Sequence, residues 1–230
     1  MRFERKLIKA TLVKRYKRFL ADVKLETGEE VTAHCPNTGS MKSCGEPGDF
    51  VYLSYNDKPS RKLKYTWELS QTASGLVGVN THRPNHIVGE ALEHKTIPEL
   101  AAYSEVKREV KSGDSRFDFK LSTKDLRKPC WVEVKNVTLL EEQTVYFPDA
   151  VSTRALKHIQ TLADLVKKGD RAVIFFLVNR TEKVNFKTAD HIHPDYGKAL
   201  IEAKKIGVEV LVYQNKITTS EISISQSLNA

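Results

Sequence analysis

The feature that most constrains this chain is the stretch from Ser115 to Asn136, SRFDFKLSTKDLRKPCWVEVKN, in which carboxylates are embedded inside apolar, strand-like runs. The runs, 116–121 and 130–137, are joined by a charged connection containing Asp125, Arg127, Lys128 and Pro129 that reads as a turn, so the stretch predicts a β-hairpin. Side chains alternate along a strand. Trp131, Glu133 and Lys135 therefore share one side, the last two about 6.6 Å apart, while Val132 and Val134 face the other. If Asp118 lies opposite, two carboxylates and one ammonium converge. Such a group suits Mg²⁺, which takes few protein oxygens and keeps waters for a phosphate ester, while a lysine balances negative charge or orients a water. This is the chemistry of phosphodiester hydrolysis. The Glu-x-Lys triplet taken alone also describes a half-exposed strand, and Asp118 pairs equally well with Arg116 or Lys120 at an open edge. Its position between Phe117 and Phe119 is the informative part, because an acid there is costly to bury unless paired or metal-bound.

Charge narrows the partner. Thirty-seven Lys and Arg against twenty-nine Asp and Glu give +8, an excess that favours polyanions. It is concentrated at the front, where Arg2, Arg5, Lys6, Lys9, Lys14, Arg15, Lys17 and Arg18 face only Glu4 and Asp22. No run approaches the ~20 apolar residues of a membrane helix, and the first ten residues lack the apolar centre of a signal peptide, so the expected setting is cytoplasmic with no membrane partner. Cys35, Cys44 and Cys130 form no CxxC pair and are expected as reduced thiols.

Within 1–84, short apolar runs at 7–13, 19–25 and 29–35 are followed by others at 49–55, 64–69 and 75–79, each bounded by Gly, Pro, Asn or Asp. This predicts a small barrel of the oligonucleotide-binding type, in which basic grooves and aromatic platforms hold a strand. Tyr16, Arg15 and Arg18 have the required composition, and Phe19 is expected in the core. The segment 34–41, HCPNTGSM, supplies His34, Asn37, Thr38 and Ser40 on a backbone fixed by Pro36 and Gly39, suited to cradling a phosphate.

Within 85–230, a helix is expected over 86–95, a short one from Pro98, a strand at 105–110 and then the hairpin. A helix follows at 148–168, a buried strand at 171–178, a helix from Pro194 and a strand at 208–213. The order is that of an α/β layer with a mixed sheet. After Gln214 the chain is expected to fray. Arg154, Lys157 and His158 lie on neighbouring turns of the long helix and line either a phosphate-binding face or a solvated one. The motif DHIHPD at 190–195 is read as a helix entry rather than a metal site.

Taken in order, LVKRYKRFLADV, HCPNTGSM, SRFDF, WVEVKNVTL, FPDAVSTRALKH and RAVIFFLV resemble the sugar fermentation stimulation protein A family of bacteria and archaea. The resemblance implies an OB-type barrel over 1–84 and a restriction-endonuclease-like domain of the PD-(D/E)xK type over 85–230, with DNA binding and a link to the regulation of sugar use. In that nuclease class the signature maps onto Asp118, Glu133 and Lys135, with Glu90 as the helix member and Glu109 as a competitor. Phe117 stands where a proline often precedes the first acid.

The expectation is thus a nucleic-acid-binding protein, for DNA more than RNA, with a nuclease site. Asp118 and Glu133 hold Mg²⁺ or Mn²⁺, Lys135 serves the attacking water and Glu90 supports the site. Arg15, Tyr16, Arg18, the 34–41 loop, Arg154 and Lys157 contact the strand. The alternatives are a non-catalytic DNA-binding regulator on the same scaffold, or an enzyme acting on a small phosphorylated metabolite.

Overall fold

A computed structural model describes residues 1–124 and 126–229. Asp125, expected in the hairpin turn, lies outside the described residues, as does the side chain of Arg127.

The alternating front of the chain forms β1 (Ile8–Tyr16), β2 (Leu20–Leu25), β3 (Glu30–His34), β4 (Phe50–Tyr55), β5 (Tyr65–Gln71) and β6 (Leu76–Gly78). They pair in the order β3-β2-β1-β4-β5-β6, and parallel contacts of Ala33 with Tyr65 and His34 with Thr66 join β3 to β5. The first five strands thereby close into a barrel around Leu12, Val23, Leu53 and Trp67. Lys17 and Arg18 turn β1 into β2 with φ of 48° and 63°, the left-handed backbone of tight hairpins. Phe19 is not in the core as expected. It is 47% exposed, because it still belongs to the turn and the ladder resumes only at Leu20.

The second half begins with α1 (Arg83–Glu93), which has a proline in its first turn, and a 3-10 turn at Pro98–Leu100. Next come β7 (Glu105–Ser112), β8 (Ser115–Thr123) and β9 (Leu126–Val137), the last two forming the expected antiparallel hairpin with a tighter connection than predicted. Then follow β10 (Leu139–Glu141), β11 (Thr144–Phe147), α2 (Thr153–Lys167), β12 (Arg171–Val178), β13 (Asn185–Thr188), α3 (Pro194–Ile206), β14 (Glu209–Ile217) and β15 (Ile222–Leu228).

The main sheet has the order β15-β14-β12-β9-β8-β7, with β9, β12 and β14 parallel and the other neighbours antiparallel. Strand β12 reads as an unbroken apolar run because both faces are covered. Ile87, Val88, Ala91 and Leu92 of α1 pack on one face. Ala155, Ile159 and Leu162 of α2, with Tyr196 and Leu200 of α3, pack on the other. The segment after Gln214 does not fray. It completes β14 and returns as β15, burying Ile217 and Ile222, since Ser and Thr alternating with Ile suit a strand. β10, β11 and β13 form a small separate sheet, an element beyond those expected from the sequence pattern. Among the described residues no helix is long and apolar enough to cross a membrane.

Arg180, just past β12, ties the two halves together. Its side chain is 1% exposed. Nη1 donates to the carbonyls of Ser43 in the barrel half (3.0 Å) and Thr138 after β9 (2.9 Å), and Nη2 donates to Glu182 (2.6 Å). Removing one partner of a buried ion pair leaves the other charge uncompensated. Arg180→Ala is expected to lower unfolding free energy by about 3–5 kcal/mol in chemical denaturation; a loss below about 1 kcal/mol, the scale of an exposed pair, would show that the junction does not depend on it.

Candidate active site

Glu133 sits on β9, in the middle of the main sheet, paired across to Ile174 of β12. Its side chain is buried beneath α2. Oε1 accepts from Lys135 Nζ at 2.7 Å and is in hydrogen-bond contact with His158 Nδ1 of α2. Oε2 is buried and has no hydrogen-bond partner. The i, i+2 spacing therefore does bring the Glu133 carboxylate and the Lys135 ammonium together, as strand alternation requires.

Asp118 comes in from β8 through a local distortion, its carboxylate against the Val134 amide and near enough for the Glu133 charge to act on it. The β7–β8 register pairs Arg108 with Phe119 and Val110 with Phe117 but lacks the pair between them, Glu109 with Asp118. Glu109 has φ 53°, a backbone that costs about 1–2 kcal/mol for a residue with a Cβ. Phe117 and Phe119, which would share a face in a regular strand, instead enter different cores. The β8–β9 ladder also stops at Phe119–Val132, and beyond it the Asp118 carboxylate takes the Val134 amide directly, Oδ2 accepting at 2.7 Å. Oδ1 accepts from Asn85 Nδ2 of α1 at 2.6 Å. Neither Arg116 nor Lys120 pairs with Asp118; the Lys120 ammonium lies over the Trp131 ring instead.

The two carboxylates shift in opposite directions. Burial and the neighbouring Glu133 charge push the Asp118 pKa up to about 6, against the Val134 amide, Asn85 and Lys135. Burial also raises Glu133, but His158 and Lys135 outweigh it and hold the carboxyl below its ordinary range. Glu133 is the permanent anion and Asp118 the group that gives way. Additional positive charge beside them favours ionisation of both.

The helix member is not the expected one. Glu90 lies five residues beyond Asn85, on another side of α1 at 3.6 residues per turn, and its carboxylate meets the Met1 ammonium at 2.7 Å. Asn85 takes the place against Asp118. Glu109 lies at the margin, 3.5 Å from Asn85 Nδ2. His158 was read only as one of three residues on a helical face. It is buried on Glu133, whereas Arg154 and Lys157 are exposed. An i, i+4 partner of an exposed arginine carries no sequence mark of being turned inward.

The barrel residues divide differently from expectation. Arg15 does not present its guanidinium as a strand contact: Nη2 donates to the carbonyls of Arg18 (3.2 Å), Asn37 (2.8 Å) and Gly39 (3.1 Å). Tyr16 Oη donates to Asp22 at 3.1 Å. Asn37 is buried, accepting from the Gly39 amide (2.8 Å) and donating to the Val79 carbonyl (3.2 Å). The Ser40 amide donates to Asp149 Oδ2 at 3.0 Å, and a Cβ on Gly39 would come within 2.2 Å of that oxygen. The 34–41 loop is thus a bracket between the barrel and the approach to α2. Thr38 and Arg18 remain exposed, and His34 lines a cleft beneath the barrel.

A divalent cation is the group implied by this chemistry. Among the described residues no three His, Cys, Asp or Glu side chains cluster as a ready-made ligand set. Two carboxylates with water completing the shell are nevertheless how Mg²⁺ is commonly held. The partnerless Oε2 of Glu133 and the mutual repulsion that raises Asp118 both fit such an ion.

Barrel and sheet together define a class: an OB-type barrel joined to a restriction-endonuclease-like α/β domain. A family model described as the SfsA N-terminal OB domain matches residues 13–79, and one described as the sugar fermentation stimulation protein RE domain matches 82–221. The chain belongs to the sugar fermentation stimulation protein family. It is 49% identical over 224 residues to the homolog from Geotalea uraniireducens, covering 97% of this chain and 96% of that one. It is 50% identical over 231 residues to the homolog from Pseudoalteromonas atlantica, covering 99% and 98%. The solved structure of Pyrococcus furiosus SfsA in complex with Ca²⁺ superposes with a TM-score of 0.88 at 26% identity, covering 99% of this chain and 96% of that one.

The raised Asp118 has a stability consequence in metal-free protein. Its folded pKa near 6 lies above the unfolded value of about 3.9, so the native state binds the proton more tightly. The destabilisation is absent below pH 4, grows between pH 4 and 6 and is complete above that window. Asp118→Asn, measured by denaturation in EDTA, is expected to gain up to about 3 kcal/mol at pH 8 and to converge on the parent at pH 3.5. A variant no more stable than the parent at pH 8 would contradict the assigned burial.

Proposed function

We propose that this protein binds nucleic acid, DNA in preference to RNA, and cuts its sugar–phosphate chain at the Asp118–Glu133–Lys135 group. The observation that carries the reading is the buried Glu133 with one oxygen tied to Lys135 and His158 and the other without a partner, beside an Asp118 destabilised as an anion. Asp118 and Glu133 would hold Mg²⁺ or Mn²⁺, and that the Pyrococcus furiosus relative was solved with Ca²⁺ supports a place for a divalent ion in the family. When bound, such an ion supplies Lewis acidity toward a phosphoryl oxygen and a bound water of lowered pKa.

The chain's own groups do the rest. His158 and Lys135 fix the Glu133 carboxylate in one orientation, so its free oxygen is set before substrate arrives. Lys135, 11% exposed, is the cation next to the reacting group, placed to balance charge that grows on the phosphate. Asn85 and the Val134 amide hold Asp118 in the same way. Arg18, Arg154 and Lys157, exposed and basic, are the proposed backbone contacts, together with the exposed Phe19 ring for stacking. The test is incubation with single- and double-stranded DNA and RNA in Mg²⁺, Mn²⁺ or EDTA. Cleavage should need the metal, and Glu133→Gln and Lys135→Ala should each slow it at least about a hundredfold while binding persists. Cleavage that survives chelator and Glu133→Gln rules the mechanism out.

A second reading, a DNA-binding regulator without catalysis, is favoured by one observation: both Asp118 oxygens and one Glu133 oxygen already have protein partners. It expects binding with no cleavage under any metal. Affinity should fall steeply with salt, and Arg18→Ala should flatten that dependence by about one counterion. A salt-independent affinity would count against both readings.

A further inference from the structure

A second group of basic residues gathers at the N-terminal end of α1. A cleft of about 680 Å³ opens between the barrel and the start of that helix. Its wall brings together His34 at the end of β3, Lys58 and Arg61 from the β4–β5 connection, His82 and His86 from the entry and first turn of α1, and Arg5.

The acid at its floor is already neutralised. Glu68, 1% exposed, accepts from Arg83 Nε (2.9 Å) and Nη2 (2.7 Å), from Asn80 (2.8 Å) and from Ser54 (2.7 Å). Of the other cations on the wall, Arg2 pairs with Glu221 and the Met1 ammonium with Glu90, and three are left unmatched. Among the described residues Arg5, Lys58 and Arg61 have no carboxylate within salt-bridge distance, and Arg61 Nη2 donates only to the Thr66 hydroxyl at 2.8 Å. Among the described residues Glu4 and Asp57 are the other acids on the wall. His34 registers the crowding: burial first, then the Arg61 and His82 charges, hold its pKa below the ordinary histidine range. Like charges gathered along a cleft attract an anion.

Geometry and size indicate which anion. A guanidinium flanked by imidazoles offers several N–H donors to one tetrahedral oxyanion, the arrangement that recognises phosphate. Phe3 and Tyr55 add aromatic surface to the same wall. The volume falls within the range of small-ligand pockets. We infer that this cleft binds a phosphate monoester of nucleotide size, with the phosphate on Arg61, His34 and His82. The same chemistry is offered by a free mononucleotide and by the phosphorylated end of a strand.

The site uses none of the groups assigned to cleavage, so it is tested without metal. The full chain in EDTA is titrated calorimetrically with adenosine 5′-monophosphate, adenosine, and a short oligonucleotide with or without a terminal phosphate. A phosphorylated probe should bind one per chain and its unphosphorylated counterpart should bind at least about tenfold more weakly. Arg61→Gln and His82→Ala should each weaken binding by a similar factor, whereas Lys198→Ala on α3 should not. His82 is exposed, so its variant carries the test even if Arg61→Gln fails to fold. Tighter binding of the mononucleotide assigns the cleft to free nucleotide, and tighter binding of the phosphorylated strand assigns it to strand ends. Probes bound equally with and without phosphate, no binding at all, or affinity unmoved by both variants would overturn the inference. Glu133→Gln should leave this binding unchanged, so failure of the cleavage reading and failure of this one are separable.

Discussion

A carboxylate buried in the middle of a sheet is the constraint around which this protein is arranged. Glu133 occupies a central strand flanked by β8 and β12, where an unpaired charge would be strongly unfavourable. The fold answers with two cations or donors from fixed directions: Lys135 two residues along the same strand and His158 from the helix packed above it. A second acid, Asp118, is brought alongside by a break in the ladder rather than by regular pairing. Strain at Glu109, a missing backbone pair and a carboxylate raised toward neutrality all fall at one point of the sheet. Departures from local rules gathered in this way are characteristic of functional sites.

The same elements connect that point to the rest of the molecule. α1 places Asn85 on Asp118 and, from its entry, His82 and His86 on the cationic cleft under the barrel. Its carboxylate Glu90 meets the Met1 ammonium, and the first residues run along the 220–222 segment, with Phe3 donating to the Ser220 carbonyl. The barrel is held to the sheet domain by Arg180 and by the 34–41 loop, whose Ser40 amide meets Asp149 just before α2. The two halves therefore share a polar junction built from a buried ion pair and hydrogen bonds that cross from barrel to sheet.

Much of this was legible in the sequence. Alternation in 130–137 placed Glu133 and Lys135 on one side, and the unbroken run 171–178 marked a strand covered on both faces. Short, regularly punctuated runs indicated the barrel. What escaped was set by tertiary context. Phe19 follows two left-handed residues, so its turn outlasts the apolar pattern. The Ser- and Thr-rich end pairs as β15 because β14 offers it an edge, which composition does not reveal. Glu90 and Asn85 both lie on α1, and only the helix rotation decides which one faces Asp118. Arg15 looks like a phosphate contact by charge, yet three backbone carbonyls claim it. His158 was hidden because one histidine among basic helical residues has no mark of burial.

The proposed cleavage requires Asp118 and Glu133 to act together toward one divalent ion. Titration of metal-free protein with Mn²⁺, followed by loss of the free-ion electron paramagnetic resonance signal, addresses this directly. One site per chain is predicted for the parent, and the same site should be lost in both Asp118→Ala and Glu133→Ala. Full occupancy retained in either variant, with both still folded, would contradict it.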